Sequence, residues 1–305
     1  MYRLEFCDDP NNPKLFDGEI EYEDSFEDEF RKHMGVLDKY EGLTIMYRIV
    51  ESCRQDLYYA FDNEERDWWE VNKAWLNYLN AIYSCKEFIG NYEPSIMEVH
   101  DKYYKKMGWY RFICDYRNIV IHSSELIEVC SNESKDFLVG YDKVREVFRR
   151  VKSVKNTEKE LKEIQKFIIE ELNTEIFRYN LKGSIKEEEY ISVRKLADKV
   201  SKEINEMKEE IALEAYKLDV PNSLQWFIDK IPYIDDMYWY PFIVNYEKYD
   251  NNENEGVLEP SFTMEQFVHR VHAGIGEKSK VSKEIGLFLK QHKYNKFFDG
   301  YIINI

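Results

Sequence analysis

The stretch Cys114–Ser123, CDYRNIVIHS, is the most apolar part of a helical pattern that begins near His100. It also carries the strongly polar side chains of Asp115, Arg117, Asn118 and His122. Such groups cost free energy on an apolar helix unless they are paired or have a function. The stretch therefore predicts a core helix of the fold and also the place where any chemistry would occur.

The composition of the chain favours long helices around a packed core. Hydrophobic residues make up 44% of the 305 residues and aromatic residues 16%, so the chain can bury a large core. Only 12 glycines and 7 prolines interrupt it, while Glu, Lys, Leu and Ile are frequent. We expect a mainly all-α fold, a helical bundle with minor short strands near the termini.

Three core helices are predicted in the first half of the chain. Apolar residues recur at helical spacing over Val36–Phe61 and Glu64–Ile89. A turn at Gly90–Ser95 follows, and Ser95 with Glu98 has the spacing of a capping box. The third helix would then run through the CDYRNIVIHS stretch to its end.

A long helical hairpin is predicted around Gly183. Thr157 has the capping signature that would open its first helix, and Ser184 has the signature that would open its second. Apolar residues then keep heptad-like spacing from Tyr190 to Leu218. The two helices could pack within the bundle or form a dimer seam.

Short elements are predicted towards the two ends of the chain. Alternation over Tyr2–Phe6 predicts a strand, and Lys135–Tyr141 predicts a small strand or turn. Two short helices, about Thr263–His272 and Ser279–His292, precede a predicted final strand, Tyr301–Ile305.

Changes in composition divide the chain into three parts. Residues 1–35 form an acidic N-terminal flank, and residues 36–182 form the helical bundle. Residues 183–305 form a C-terminal helical extension, in which an aromatic-rich segment begins after Pro221.

Charge and cysteine usage narrow the function classes. A net charge of -16 argues against a general nucleic-acid binder, but allows an enzyme that contacts RNA at one local cationic site. The five cysteines have neither zinc-ligand nor redox-motif spacing. There is no signal-peptide pattern and no run near the ~20 apolar residues of a membrane span. We expect a cytoplasmic protein that uses no metal or cofactor and enters no membrane.

The polar residues of the third helix fall into two groups when they are projected at about 100° per residue. Arg111, Asp115, Asn118 and His122 share a sector of about 60°. Arg117 lies off this stripe, so its side chain must bend round, or the helix must end, for it to meet His122. His122 suits proton transfer near neutral pH, and Arg117 suits phosphate binding.

One polar residue of the second helix, Asn72, is expected to be buried near the polar residues of the third helix. Asn72 falls in the apolar stripe of the second helix. It could face the polar residues of the third helix, or make a local hydrogen bond.

The spacing Arg117-Asn118-x3-His122 resembles the motif of the HEPN superfamily, helical-bundle domains of prokaryotic toxins and defence systems. The resemblance covers roughly residues 36–180. It implies metal-independent RNA cleavage by a homodimer, with Arg117, His122 and Asn118 as catalytic residues and Asp115, Arg111 and Asn72 as supporting residues. It also implies an antitoxin or other protein partner, although the Tyr that some toxins carry two positions after the His is Ser124 here.

A second reading is a helical module without catalysis that binds a protein partner or a small ligand. The acidic surface, the aromatic-rich segment and the Tyr190–Leu218 helix favour it. Two other patterns are weaker evidence for a site. His269-x-x-His272 could bind a metal, but a third metal ligand is lacking. Gly274–Ser279 resembles a phosphate-binding loop, but lacks its full spacing.

Overall fold

The computed structural model describes eleven segments: residues 2–7, 25–63, 68–106, 108–123, 130–131, 137–140, 175–181, 184–230, 240–245, 257–258 and 264–291. The helices are α1 Phe26–Asp62, α2 Trp68–Gly90, α3 Pro94–Lys106, α4 Gly108–Ser123, α5 Val193–Lys230, α6 Met264–Ile275 and α7 Lys280–Gln291. The strands are β1 Tyr2–Cys7, β2 Cys130–Ser131, β3 Phe137–Gly140, β4 Glu175–Leu181, β5 Ser184–Ser192, β6 Tyr240–Asn245 and β7 Val257–Leu258.

The expected fold class is confirmed: most of the described residues are helical and form an α-helical bundle. The strands form two small antiparallel sheets, in the orders β1-β6-β7 and β2-β3-β5-β4. The predicted strands near Tyr2 and Phe137 are present, and so are both predicted short helices of the C-terminal part. The predicted strand Tyr301–Ile305 lies outside the described residues.

The chain divides into two compact units. The first unit contains Met1–Ile45 and Ile211–Ile305, and the second contains Met46–Glu210. Helices α1 and α5 each contribute residues to both units. The predicted boundaries at residues 35/36 and 182/183 stay predictions.

Large apolar side chains form the core of each unit. In the second unit these residues include Trp75, Tyr78, Leu79, Ile82, Trp109, Tyr110, Ile113 and Ile204. In the first unit they include Tyr40, Leu43, Leu224, Phe227, Phe267, Val271 and Ile285. Burying one such side chain contributes about 1.5–3 kcal/mol. The apolar spacing that predicted α2 is therefore the spacing of its buried face.

Helix α1 begins at Phe26 rather than near Val36. Phe26 and Phe30 are buried, and both contact Trp226 of α5. Glu27 and Glu29 occupy the first turn, where carboxylates are favoured by the helix dipole. Part of the acidic flank is therefore the start of a core helix, because two buried rings anchor it.

The predicted third helix is two helices. α3 ends at Lys106 and α4 begins at Gly108. Glycine weakens a helix interior by roughly 0.5–1 kcal/mol relative to alanine, which favours a break here. The CDYRNIVIHS stretch lies entirely within α4, so its helical projection is unaffected.

The helical hairpin predicted around Gly183 is wrong where the structure describes it. β4 and β5 pair antiparallel from Glu175↔Tyr190 to Leu181↔Ser184, and helix α5 begins only at Val193. Ile, Phe and Tyr residues in β4 favour a strand, and pairing outweighs the local capping signal at Ser184. The part of the predicted hairpin before residue 175 lies outside the described residues.

Helix α5 also continues past Pro221, after which an aromatic-rich segment was expected, and ends at Lys230. Proline removes one helical hydrogen bond and crowds the preceding turn. Val220, Leu224 and Phe227 are nevertheless buried, so the apolar face of α5 is unbroken on both sides of the proline. Tertiary packing here outweighs a local helix-breaking signal.

Candidate functional site

The predicted site residues lie on helices that contact one another within the second unit. α2 contacts α3 and α4, and α3 contacts α4. On α4, Phe112, Ile113 and Tyr116 are buried, whereas Arg111, Asp115, Arg117 and Asn118 are half-buried. The apolar face of α4 therefore anchors the helix, and its polar residues lie towards the rim.

Arg117 is held by three neutral groups. Its Nε donates to Asn80 Oδ1 at 3.1 Å, and its Nη1 donates to Asn118 Oδ1 at 3.3 Å. Its Cζ lies 4.1 Å from the centroid of the Tyr83 ring, which is cation–π geometry. Within the described part of the chain no carboxylate pairs with Arg117, so the guanidinium is fixed in place without being neutralised.

The Arg117 side chain contacts the polar stripe of α4 through Asn118, and its meeting with His122 stays a prediction. α4 continues to Ser123, so the helix does not end between Arg117 and His122. The hydrogen bond to Asn118 brings the guanidinium towards the stripe that contains position 122 one turn later. The side chain of His122 lies outside the described residues.

Two further cations lie against tyrosine rings of α2 and α3. Lys86 Nζ lies 5.6 Å from the centroid of Tyr83 and 4.7 Å from that of Tyr104. Arg111 Cζ lies 5.8 Å from the Tyr104 centroid. Three cations of α2 and α4 therefore contact two tyrosine rings.

Asp115 lies among these cations. Its Oδ1 is 3.5 Å from Tyr104 Oη. Burial raises the pKa of the Asp115 carboxyl, and the positive charges of Arg111 and Lys86 oppose that rise. Asp115 can therefore balance part of the local positive charge.

The layer beneath the site is aromatic and buried. His100 Nε2 lies 3.2 Å from Tyr110 Oη, and the backbone N–H of Tyr110 donates to Glu203 Oε2 at 2.7 Å. Burial lowers the pKa of His100, which keeps its imidazole neutral, and the carboxylate of Asp101 opposes the shift. His100 thus helps to fix the position of α4.

The two cysteines near the site are not activated nucleophiles. Cys85 of α2 and Cys114 of α4 are buried free thiols. Burial raises the pKa of each thiol to about 12. Because the thiolate is the reactive form, burial disfavours either cysteine as a nucleophile at neutral pH.

Three residues of the site were not predicted from the sequence. The α2 amide that receives Arg117 is Asn80, whereas the predicted supporting residue Asn72 is buried two turns earlier on the same helix. Tyr83 and Lys86 were also missed. The available signal was the spacing of positions 80, 83 and 86, which puts an amide, a ring and a cation on neighbouring turns of α2.

Neither a metal-binding cluster nor a membrane-spanning helix is found within the segments that the structure describes. No group of three or more His, Cys, Asp or Glu side chains there could hold a metal ion. Among the described helices, none combines the length and apolar character that crossing a bilayer requires. No known family model, curated protein or solved structure matches the chain.

Proposed function

We propose that the chain is an HEPN-like, metal-independent endoribonuclease of the toxin or phage-defence type, which acts as a homodimer. The observation that carries the proposal is Arg117: it is fixed by Asn80, Tyr83 and Asn118, yet it keeps its charge. A fixed, planar cation is what binding of a phosphate requires. His122 follows on the same helix, with the spacing of the HEPN motif.

The proposed reaction needs a base, an acid and a cation at one phosphate. His122 of one protomer takes the proton of the 2′-hydroxyl, whose oxygen then attacks the phosphorus. The P–O5′ bond breaks, and the leaving oxygen receives a proton from His122 of the partner subunit. The products are a 2′,3′-cyclic phosphate and a 5′-hydroxyl. Arg117 stabilises the negative charge that gathers on the phosphoryl oxygens.

A two-fold dimer is the economical source of the second histidine, because one α4 helix carries only one His at the motif. Asn118 is assigned the role of orienting the His122 ring. Since Asn118 Oδ1 accepts from Arg117, its Nδ2–H is the group that would donate to a ring nitrogen of His122 and set the tautomer.

The local charge supports an RNA substrate in a chain of net charge -16. Lys86 Nζ and Arg117 Cζ lie against the same Tyr83 ring, so two cations are close together at this site. Such an enzyme would act in the cytoplasm and would need an antitoxin or another protein to hold it inactive. Ser124 argues against neutralisation by modification of a tyrosine at that position.

Cleavage of RNA in EDTA by the purified full chain tests the proposal. Wild type is expected to produce 2′,3′-cyclic phosphate ends, and His122→Ala to lower the rate by roughly 10²–10⁴-fold, as loss of an acid–base group does. His269→Ala, at an exposed position of α6, is the matched control and should cut like wild type. Equal cleavage by His122→Ala, with unchanged circular dichroism, would sink the assignment.

A non-catalytic helical module is the second candidate, and one observation favours it. The contacts of Arg117 to Asn80 and Tyr83 join α4 to α2, so this side chain could serve only to lock two helices together. Such a protein would bind a protein partner or a small ligand. Arg117→Ala would then lower the free energy of unfolding by about 1–3 kcal/mol, and wild type would cut no RNA.

A further inference from the structure

A cleft of about 260 Å³, open to solvent at its mouth, lies between α1, α2 and α5 in the second unit. Its volume falls below the roughly 300–1,000 Å³ of pockets that hold drug-sized ligands, so it suits a molecule of only a few atoms. Tyr78 of α2 lines the cleft, two residues before Asn80, which contacts Arg117. Since successive helical residues are about 100° apart, the cleft lies on a different face of α2 from the Arg117 site.

Three polar side chains of α5, those of Ser201, Asn205 and Lys208, line the cleft. Their spacing of four and three residues puts them on one face of the helix, along roughly 10 Å of its length. Lys208 and Asn205 form no hydrogen bond or ion pair with another residue in the described part of the chain. Lys208 is nevertheless half-buried, and burial lowers its pKa, whereas the carboxylates of Glu51 and Glu209 oppose that shift without direct contact. An anion in contact with the ammonium group would offset this cost of burial.

The Ser201 hydroxyl is oriented by Tyr78. The two hydroxyl oxygens lie 2.8 Å apart, and the Tyr78 side chain is fully buried. Burial raises the pKa of the Tyr78 phenol, so it keeps its proton at neutral pH and has that proton to donate to Ser201 Oγ. Ser201 then directs its own O–H into the cleft. The α5 wall therefore offers an ammonium group, an amide and a hydroxyl as hydrogen-bond donors.

The charged side chains on the α1 wall of the cleft are paired with each other. Arg54 Nε and Nη2 donate to the two carboxylate oxygens of Glu51 at 2.9 and 2.5 Å, and Gln55 Nε2 donates to Glu51 Oε1 at 3.3 Å. The hydrogen bonds from Arg54 lower the pKa of Glu51, so this carboxylate is ionised and its charge is offset within the pair. A cationic ligand would therefore gain little from Glu51, whereas an anionic ligand has Lys208 to bind.

We propose that this cleft binds a small organic monocarboxylate, whose oxygens accept hydrogen bonds from Lys208, Ser201 and Asn205. Its short apolar chain contacts Val50 and Ile204, two buried residues that also line the cleft. One ammonium group with two neutral donors matches a single negative charge. Phosphate fits less well, because it carries more charge and is typically held by arginine forks, and Arg54 is already paired with Glu51. This binding site is independent of the proposed ribonuclease function.

Binding of sodium butyrate to the full chain tests the proposal. Kd is measured by ligand-observed NMR titration near neutral pH and at constant ionic strength, with acetate, inorganic phosphate and butylamine as comparison ligands. Butyrate should bind more tightly than acetate, by about fourfold for each methylene group that becomes buried. Phosphate and butylamine should bind more weakly than butyrate, because one lacks the apolar chain and the other the negative charge.

Two variants assign the binding to the cleft. Lys208→Met should raise the Kd for butyrate about tenfold or more, since it removes a hydrogen bond from a charged donor, and Ser201→Ala should raise it several-fold. Lys202→Met is the matched control, the same change at an exposed position of α5, and should leave Kd unchanged. Circular dichroism checks that each variant is folded, and Ser201→Ala decides the outcome if Lys208→Met is not.

Three results would overturn the proposal. They are the absence of saturable butyrate binding by wild type, tighter binding of phosphate or butylamine than of butyrate, and an unchanged Kd in folded Lys208→Met and Ser201→Ala. None of these measurements involves RNA, so failure here leaves the ribonuclease proposal standing, and loss of the ribonuclease proposal leaves this site standing.

Discussion

Two arginines of this protein join helices in opposite ways. Arg270 of α6 pairs with Glu41 of α1 at 2.7 Å, and the Glu41 side chain is only 8% exposed. Arg117 of α4 also contacts a neighbouring helix, but its partners are the Asn80 amide and the Tyr83 ring. Both side chains are held by a neighbouring helix, but only the charge of Arg270 is balanced by a carboxylate among these contacts.

The difference separates a structural cation from one that is kept for a ligand. The buried Glu41 carboxylate offsets the charge of Arg270, so this pair joins α6 to α1 and leaves little charge for an anion. Neutral partners fix Arg117 and leave its positive charge intact. Residues of this kind, held firmly but not neutralised, are the ones to examine first in a site that must bind a phosphate.

The largest expected effect comes from exchanging each arginine for methionine. Arg117→Met should lower RNA cleavage by at least 10²-fold, since losing one group that stabilises transition-state charge costs that much. Arg270→Met should leave cleavage unchanged, but should lower the free energy of unfolding by roughly 2 kcal/mol by leaving Glu41 buried without its cation. Cleavage rates and urea unfolding are measured on both variants. Equal loss of cleavage in the two would contradict the different roles given to Arg117 and Arg270.

A smaller effect concerns the close approach of α6 to α1, one turn beyond Arg270. A Cβ atom at Gly274 would lie 2.2 Å from the carbonyl oxygen of Thr44, a backbone atom that cannot move aside easily. Gly274→Ala should therefore destabilise the protein by about 1–3 kcal/mol. Gly35→Ala is the matched control, because nothing lies within 4 Å of the added atom and helix propensity should make it neutral or stabilising. Denaturant midpoints that rank the two variants in the other order would contradict this packing.

The smallest effect is a pH dependence from His100, beneath the site. Burial lowers the pKa of folded His100 below the ordinary value of about 6.5, so the unfolded chain binds more protons as pH falls. The contribution is fully present above pH 6.5 and is lost below it, by at most about 1.4 kcal/mol per pH unit. His100→Gln should make the fall in stability between about pH 7 and pH 5.5 shallower. Parallel curves for the two proteins would exclude this role.

Local signals in the sequence were enough to find several elements. The steps of three, four and seven between apolar residues predicted α2, and alternation predicted β1, because those residues are the ones that face a core or a sheet. The polar residues of α4 likewise led to Arg117 and Asn118, which the structure joins by a hydrogen bond. Such patterns repeat within one element, so they can be read without knowing its neighbours.

Elements that depend on distant partners were missed or misplaced. α1 begins at Phe26 because Trp226 and Phe227, far along the chain, cover Phe26 and Phe30. β4 and β5 replaced predicted helices because strand pairing supplied their backbone hydrogen bonds. Asn80 was missed for a similar reason, because its spacing from Tyr83 and Lys86 within α2 does not show which residue of α4 will reach it.

The sequence by itself determined the helical class, the apolar faces of the main helices and the motif that sets Arg117 five positions before His122. Only the tertiary structure decided which arginine meets neutral groups and which meets a carboxylate. Arg117 and Arg270 look alike in sequence, but whether an amide or a carboxylate lies opposite is a property of two helices that meet in space. Periodicity fixes which side of a helix is buried, whereas the partner across the contact depends on how the helices pack.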